Sequence, residues 1–471
     1  MSPGLTLRED HLSQLRSLVL STPGQEGAAL LLLSPCSVDA DPWSGAPRRR
    51  YLSREVIPID PDDVVSASES HVTTSTRPLA RALRRASASG LVVGYVHSHP
   101  GGPPLFSRQD DQGEAEMARL AHNRNGVGTE LVSILITAGG PLGARVWAHP
   151  NGYQPMEQVT VIGDRLTIHR PWNGDGTASA PEAFHRQGLA FGDVLYRDVS
   201  SLRVGIVGCG ATGSATAMLL ARLGAQRLIL FDPDRVEHTN LSRLQGATHQ
   251  DADRQRLKVD VVGDMVEGFG LGARAVRITE WVGHPSARDA LKSCDIIFGC
   301  TDDHDGRTLL NRLAFIYAIP VIDMGIRIDP RDPGQPVREA AGRVTVLQPG
   351  ARCLMCRRVI NGRRAASEHL ERTNPGEYER QAREGYVVGV AGPNPAVVHL
   401  TTDVAAMAVD ELVHRLSGYR AAGSCDHRVR QFHMMADRQP GTAETGECRI
   451  CEDPRDWSKG DSLQPFLGRI G

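Results

Sequence analysis

The sequence predicts an α/β protein of two domains, the second of them Rossmann-like. Two stretches carry that expectation. An apolar run at 90–95 (GLVVGY) leads into His-Ser-His-Pro at 97–100, and another from Leu202 enters the turn Gly208-Cys209-Gly210-Ala211-Thr212-Gly213. Length is the third observation: 471 residues are more than one ordinary core encloses.

In the first half, the β-rich run at 90–95 places His97 and His99 at the end of a strand. Side chains at i and i+2 of a strand share a face, so both imidazoles can reach one metal ion. Asp110 adds a carboxylate from a helix starting near Ser107. Three protein ligands leave a fourth zinc position open, as catalytic rather than structural sites do. Ser107 and Asp110 also read as an N-cap and its capping-box partner. Capping accounts for those two residues but not for two histidines on one strand face.

These residues resemble the JAB/MPN metallopeptidases, whose motif H-x-H-P-x(6)-S-x-x-D is complete here in His97, His99, Pro100, Ser107 and Asp110. The resemblance implies a cytidine-deaminase-like α/β fold. It also implies cleavage of an amide bond at the C-terminus of ubiquitin or a ubiquitin-like protein, with an upstream glutamate as general base. Glu26, just ahead of the apolar run at 28–33, fits that glutamate. Glu55 is nearer in sequence but lies in the alternating run at 51–59, which reads as a later strand. The stretch 35–50 reads as a loop insertion. In the implied chemistry zinc lowers the pKa of bound water to about 7 and the glutamate takes its proton, while Ser107 stabilises the oxyanion.

Composition sets the outer limits. The chain is 40% hydrophobic and 23% charged, enough to bury a sizeable core, and a net charge of −2 argues for neither nucleic acid nor an anionic membrane as partner. The N-terminus lacks a signal-like apolar segment, and the longest apolar stretch, 28–33, is far below the roughly 20 residues that span a bilayer. A cytoplasmic protein is expected. The stretch 171–181 (PWNGDGTASAP) reads as linker. The expected organisation is a first domain at 1–155, a linker at 156–182, a second domain at 183–455 and a tail at 456–471.

In the second half, a strand, the glycine turn, an Ala/Leu-rich helix and the strand 227–231 follow in order, ending at Asp232. Glycines let a backbone approach phosphate at a helix N-terminus, and an acidic residue after the second strand binds ribose hydroxyls. By itself this order suggests an NAD-dependent oxidoreductase. Asn240, Arg243 and Lys258 then follow, and the run CDIIFGC delivers Thr301-Asp302-Asp303 at a strand's carboxyl end. A nicotinamide needs no such convergence, whereas a triphosphate needs cations and Mg²⁺ needs a carboxylate.

That arrangement resembles the ThiF/MoeB adenylyltransferases, whose core is shared with ubiquitin-activating enzymes, over roughly 183–453. The resemblance implies ATP bound by Gly208, Gly210 and Gly213, with Asp232 on ribose and Asn240, Arg243 and Lys258 on the phosphates. Arg256 is the alternative to Lys258. Asp302, in CTDD where the family has CTDN, would hold Mg²⁺. Arg186, in His185-Arg186-Gln187, resembles an arginine that enters the partner subunit's ATP site, so a homodimer is implied. The implied reaction is adenylation of the C-terminal carboxylate of a ubiquitin-like or sulfur-carrier protein.

Cys353-x-x-Cys356 and Cys448-x-x-Cys451 suit a closed, structural Cys₄ zinc site, with a redox role as the competitor. The stretch 357–397, where many activating enzymes keep a thioester cysteine, contains none. Cys425 precedes a strand and Cys209 is small enough for the glycine turn, so both read as structural. The acyl-adenylate is therefore expected to pass to a conjugating enzyme's thiol or a sulfur donor. The competing expectation from another class is a module that binds a ubiquitin-like protein without turning it over.

Overall fold

The computed structural model describes residues 3–140, 142–170, 180–329, 337–384, 395–441 and 448–468. Most of the linker-like stretch 171–181 lies outside them. The chain divides into two compact units, one of Met1–Ala178 with Ile316–Ala318 and Arg455–Gly471, the other of Ser179–Phe315 and Ile319–Pro454.

The first unit contains strands β1 (Pro3–Arg8), β2 (Ala28–Val38), β3 (Arg48–Pro58), β4 (Val64–Ala67), β5 (Val72–Thr74), β6 (Val92–His99), β7 (Glu130–Thr137), β8 (Leu142–Ala148), β9 (Tyr153–Pro155), β10 (Gln158–Ile162) and β11 (Leu166–His169). β4 and β5 form a separate hairpin, and the other nine make one mixed sheet in the order β11-β10-β1-β3-β2-β6-β7-β8-β9. The apolar run at 28–33 is explained by burial on both faces. Leu31 and Leu33 pack with Leu12 and Leu15 of the helix Glu9–Val19. Leu30 and Leu32 pack with Leu79 and Leu83 of the helix Thr76–Ser89 and with Ala118 of the helix Arg108–Asn125.

Register then places the first candidate site. β2 runs antiparallel to β6 with Ala28 opposite His97, so Glu26, two residues ahead of β2, arrives beside the end of β6. β6 is parallel to β7, and His97 and His99 close the strand at its carboxyl end.

Three expected boundaries are corrected. β10 pairs in parallel with β1, Leu5 opposite Val159, and β11 pairs with β10, so the first sheet continues to His169 rather than ending at 155, and no linker begins at 156. β10 lies between β11 and β1, a strand at the other end of the domain's sequence, which local sequence does not announce. β2 and β3 reach Val38 and Arg48, so the loop is 39–47 rather than 35–50. The expected tail folds back onto the first unit. Trp457 is 7% exposed with the Arg8 guanidinium 4.8 Å from its ring centre, Ser37 N donates to Asp461 Oδ2 at 2.6 Å, and Tyr317 donates to Asp461 Oδ1 at 2.9 Å.

The second unit contains β12 (Arg203–Val207), β13 (Arg227–Phe231), β14 (Arg274–Ile278), β15 (Ile296–Gly299), β16 (Val321–Asp329), β17 (Glu339–Leu347), β18 (His427–Gln431) and β19 (Ala436–Arg438), in the order β14-β13-β12-β15-β16-β17-β18-β19. The strands from β14 to β16 are parallel and the rest are added antiparallel. Strand order reverses between β12 and β15, the crevice where open α/β sheets bind ligands. Among the described residues no helix is long and apolar enough to cross a membrane.

The returning segment yields a prediction. Trp457→Ala leaves a hole in a packed site and should destabilise the first unit by about 3–5 kcal/mol. Urea unfolding followed by a probe within the first unit checks it, and an unchanged midpoint would mean that the segment contributes no stability.

Candidate functional site

At the carboxyl end of β6, His97 Nε2 lies 3.3 Å from Asp110 Oδ1, and His99 Nε2 lies 3.3 Å from Asp110 Oδ2 and 3.6 Å from Glu26 Oε1. One donor atom from each of His97, His99 and Asp110 falls within 4.8 Å of the others. Both ring nitrogens of His97 are buried and make no hydrogen bond, which suits a site built for a cation. Burial pushes the Asp110 carboxyl up, but the His97 and His99 imidazoles beside it outweigh that and hold the group well below the usual carboxylate range. Glu26 is 5% exposed, and burial raises its carboxyl above the ordinary value against the pull of His99 and His97. Glu55 is elsewhere, exposed and paired with Arg85 at 2.7 Å.

Ser107 and Asp110 form a capping box: Ser107 Oγ accepts from Asp110 N at 3.1 Å and Asp110 Oδ2 accepts from Ser107 N at 2.6 Å. Asp110 uses Oδ2 for the cap, and its other oxygen faces His97. The Ser107 hydroxyl accepts in the cap, so its proton is left for a further acceptor. The capping and ligand readings of these residues are compatible.

Sequence reasoning missed a second carboxylate behind the histidines. Glu114 lies one turn after Asp110 on the same helix face, a spacing that was visible but unremarkable.

In the second unit, a cavity of about 670 Å³ opens at the strand-order reversal, lined in part by Gly208, Gly210, Asp232, Asn240, Arg243, Lys258 and Asp302. Gly208 has a φ of +91°. Gly213 does not line the cavity: a Cβ there would sit 1.8 Å from Gly208 O, so glycine is required for close packing of helix on turn. Asp232 is 6% exposed; its Oδ2 accepts from Cys209 N at 2.6 Å and its Oδ1 from Asp234 N at 2.8 Å. It therefore also braces the glycine turn. Lys258, at the start of the helix Lys258–Gly268, donates to Asp234 Oδ2 at 2.7 Å. Arg256 pairs instead with Asp251 and Asp264 and is not among the lining residues, so the cavity takes Lys258 rather than its alternative.

Arg243 donates to Thr239 O at 2.5 Å, and the Asn240 side chain accepts from Glu237 N at 3.2 Å. Asp302 is exposed after β15, while Asp303 turns inward, accepting from Thr301 Oγ1 at 2.6 Å and from Gly306 N. Arg186 lies exposed on the helix His185–Phe191 and is not among the lining residues. Three arginines that the sequence did not single out do line the cavity: Arg307, Arg364 and Arg372. Arg372 lies 4.1 Å over the Trp281 ring and reaches Asp305 at 2.9 Å. Arg307 faces Asp323, whose buried carboxylate also takes Arg343 at 2.5 Å.

Cys353, Cys356, Cys448 and Cys451 come together with Sγ–Sγ distances of 3.7, 3.7 and 3.5 Å for the Cys353–Cys356, Cys353–Cys448 and Cys356–Cys451 pairs. A tetrahedron with Zn–S of about 2.3 Å has edges of about 3.8 Å, so four thiolates placed this way fit zinc. Burial pushes the Cys300 thiol up to about 12 and raises Cys209 and Cys425. Those thiols are not poised as nucleophiles.

Gly213→Ala drives a Cβ into the Gly208 carbonyl and should cost about 1–3 kcal/mol by overpacking. It should also weaken nucleotide binding, although residue 213 touches no ligand space. Calorimetric titration with Mg·ATP alongside chemical unfolding checks this, and wild-type behaviour in both would refute the close-packing account.

A model of the ThiF family matches residues 184–449, and one of prokaryotic homologs of the JAB domain matches residues 8–149. The chain is 28% identical over 185 residues to ubiquitin-like modifier-activating enzyme 5 of Oryza sativa subsp. japonica, covering 37% of this chain and 41% of that protein. It is 26% identical over 156 residues to the SAMP-activating enzyme E1 of Haloferax volcanii, covering 33% and 53%. The chain thus spans about half or less of the length of these relatives. A crystal structure of E. coli MccB with succinimide is similar at 15% identity and a TM-score of 0.44, covering 57% of this chain and 75% of that one. Since the ThiF match takes in more than half of the chain, the protein belongs to the ThiF family and carries ahead of that region a segment matching the prokaryotic homologs of the JAB domain.

Proposed function

We propose that this chain adenylates the C-terminal carboxylate of a ubiquitin-like or sulfur-carrier protein, and that its first unit is a zinc-dependent peptidase or isopeptidase acting at the same kind of C-terminus. The observation that carries the reading is the convergence of Arg243, Lys258 and Asp302 on one cavity with the glycine turn. A nicotinamide site would use the turn and Asp232 but has no need of the other three. The similarity to a ubiquitin-like modifier-activating enzyme and to a SAMP-activating enzyme supports the same reading.

In the adenylation step Asp232 would hold ribose, and Asn240, Arg243 and Lys258 the phosphates. Asp302 would hold Mg²⁺, which when bound neutralises phosphate charge. A carboxylate is ionised at neutral pH and needs no general base. Its oxygen attacks the α-phosphorus, the bond to the bridging oxygen breaks, and pyrophosphate leaves with the electron pair. The cations stabilise that leaving charge while the cavity fixes the line of attack. The stretch 357–397 offers no thiol, so the acyl-adenylate passes to a conjugating enzyme or a sulfur donor. Arg186, exposed beside Leu189 and Phe191, would complete the site of a second copy in a homodimer.

In the first unit His97, His99 and Asp110 would hold zinc with a fourth position open. When bound, the ion supplies Lewis-acid activation of water and carbonyl. Glu26, its carboxyl raised by burial, takes a proton and returns it to the leaving amine. The unused Ser107 proton is available to an oxyanion. The four cysteines would hold a second, structural zinc. Trimming before activation and removal of conjugates are both served by this pairing of chemistries.

Intact mass of ubiquitin-like proteins from the same genome, incubated with the enzyme, zinc, Mg²⁺ and ATP, tests the proposal. C-terminal residues should be lost and adenylate gained, with Glu26→Ala abolishing the first and Asp302→Ala the second. Adenylation without trimming points to deconjugation. Absence of both mass changes, together with absence of ATP–pyrophosphate exchange, would favour a binding module that turns nothing over.

A further inference from the structure

We propose that Glu114 is a positioning residue for the histidine centre: it accepts the Nδ1 proton of His97 and so commits Nε2 to the metal. The proposal rests on the zinc reading of His97, His99 and Asp110. Those residues turn the His97 Nε2 edge toward Asp110, while Nδ1 looks the other way, 3.9 Å from Glu114 Oε1.

Glu114 is 1% exposed, and its two oxygens are used unequally. Oε2 accepts from Arg145 Nε at 2.7 Å and from Trp147 Nε1 at 2.8 Å, and Arg145 Nη2 lies 2.6 Å from it. Oε1 makes no hydrogen bond, and neither does His97 Nδ1 opposite it; the Ser133 hydroxyl is the other polar neighbour of the carboxylate. A buried donor or acceptor left unsatisfied costs about 1–3 kcal/mol, and a ring shift of about 1 Å would bring this pair to hydrogen-bonding distance.

The carboxylate is held from behind. The Arg145 guanidinium lies 3.9 Å over Phe106 and 4.5 Å over Tyr153, and its Nη1 donates to Asp111 Oδ1 at 2.5 Å. With Oε2 so pinned, Oε1 is left to face His97 Nδ1 and the Ser133 hydroxyl. A carboxylate on the far nitrogen fixes the tautomer and orientation of a ligating imidazole and raises its basicity as a ligand. The helix Arg108–Asn125 thereby supplies two carboxylates one turn apart, Asp110 in front of the ring and Glu114 behind it.

The test is a Co²⁺ titration of the full-length, metal-stripped protein. Thiolate charge-transfer absorption separates the four-cysteine site from the histidine site, and apo-protein melting is followed in parallel. Glu114→Met keeps the bulk without the acceptor and should weaken the histidine site by roughly 10–100-fold while shifting its d–d bands. Glu114→Gln can still accept through its amide oxygen and should recover most of that affinity. If both variants melt lower yet bind Co²⁺ at the histidine site as tightly as wild type, Glu114 is only the structural partner of Arg145 and the proposal fails. If wild type shows no site beyond the thiolate one, the zinc reading itself falls. Should Glu114→Met not fold, ¹⁵N NMR of the zinc-loaded wild type decides: a slowly exchanging Nδ1 proton on His97 is expected, and a deprotonated or freely exchanging Nδ1 overturns the assignment.

Discussion

Backbone register in the two sheets is the constraint on which both candidate sites depend. Ala28 opposite His97 brings Glu26 to the end of β6, and slipping that pairing by one residue would reverse which face of β6 meets the core and which meets Asp110. In the second unit, parallel pairing of β12 with both β13 and β15 leaves the glycine turn, Asp232 and Thr301-Asp302 at neighbouring strand ends. Neither set is local in sequence. In the first unit the start of β2 meets the end of β6 because the two strands are antiparallel, and in the second the site forms because parallel strands end together at one edge of the sheet.

Buried charge in both units is compensated by arginine, and the compensation shapes the sites. Arg145 holds Glu114 among aromatic rings; Arg343 and Arg307 hold Asp323 under the cavity. An uncompensated carboxylate at such depth would be costly, and a planar guanidinium answers it with several donors in fixed geometry. Asp303, in a position where the CTDN pattern has a neutral amide, spends its charge on local donors at the start of the helix His304–Ile316, with Arg372 at 3.6 Å.

Each unit is compact in space but is drawn from separate stretches of the sequence. Ile316–Ala318 and the C-terminal residues from Arg455 belong with the first unit, and Asp461 bonds both Ser37 and Tyr317 there. A fragment ending within 171–179 would therefore lack part of the first unit's own packing.

The sequence by itself determined the local chemistry: the motif 97–110 with its strand and helix, the strand–turn–helix–strand around Gly208, and the two cysteine pairs. Periodicity, capping and glycine spacing are short-range properties, and each is written in adjacent residues. The tertiary structure alone decided the rest. It separated Lys258 from Arg256, which differ by two positions but meet different carboxylates. It gave Gly213 a packing role against Gly208, carried the first sheet on to His169, and turned an expected tail into part of the first unit. It also revealed the Glu114–Arg145 and Asp305–Arg372 pairs, whose members lie tens of residues apart, and brought Arg307, Arg364 and Arg372 to one cavity. Long-range pairing depends on which surfaces remain to be buried after local elements form, and no short stretch of sequence records that.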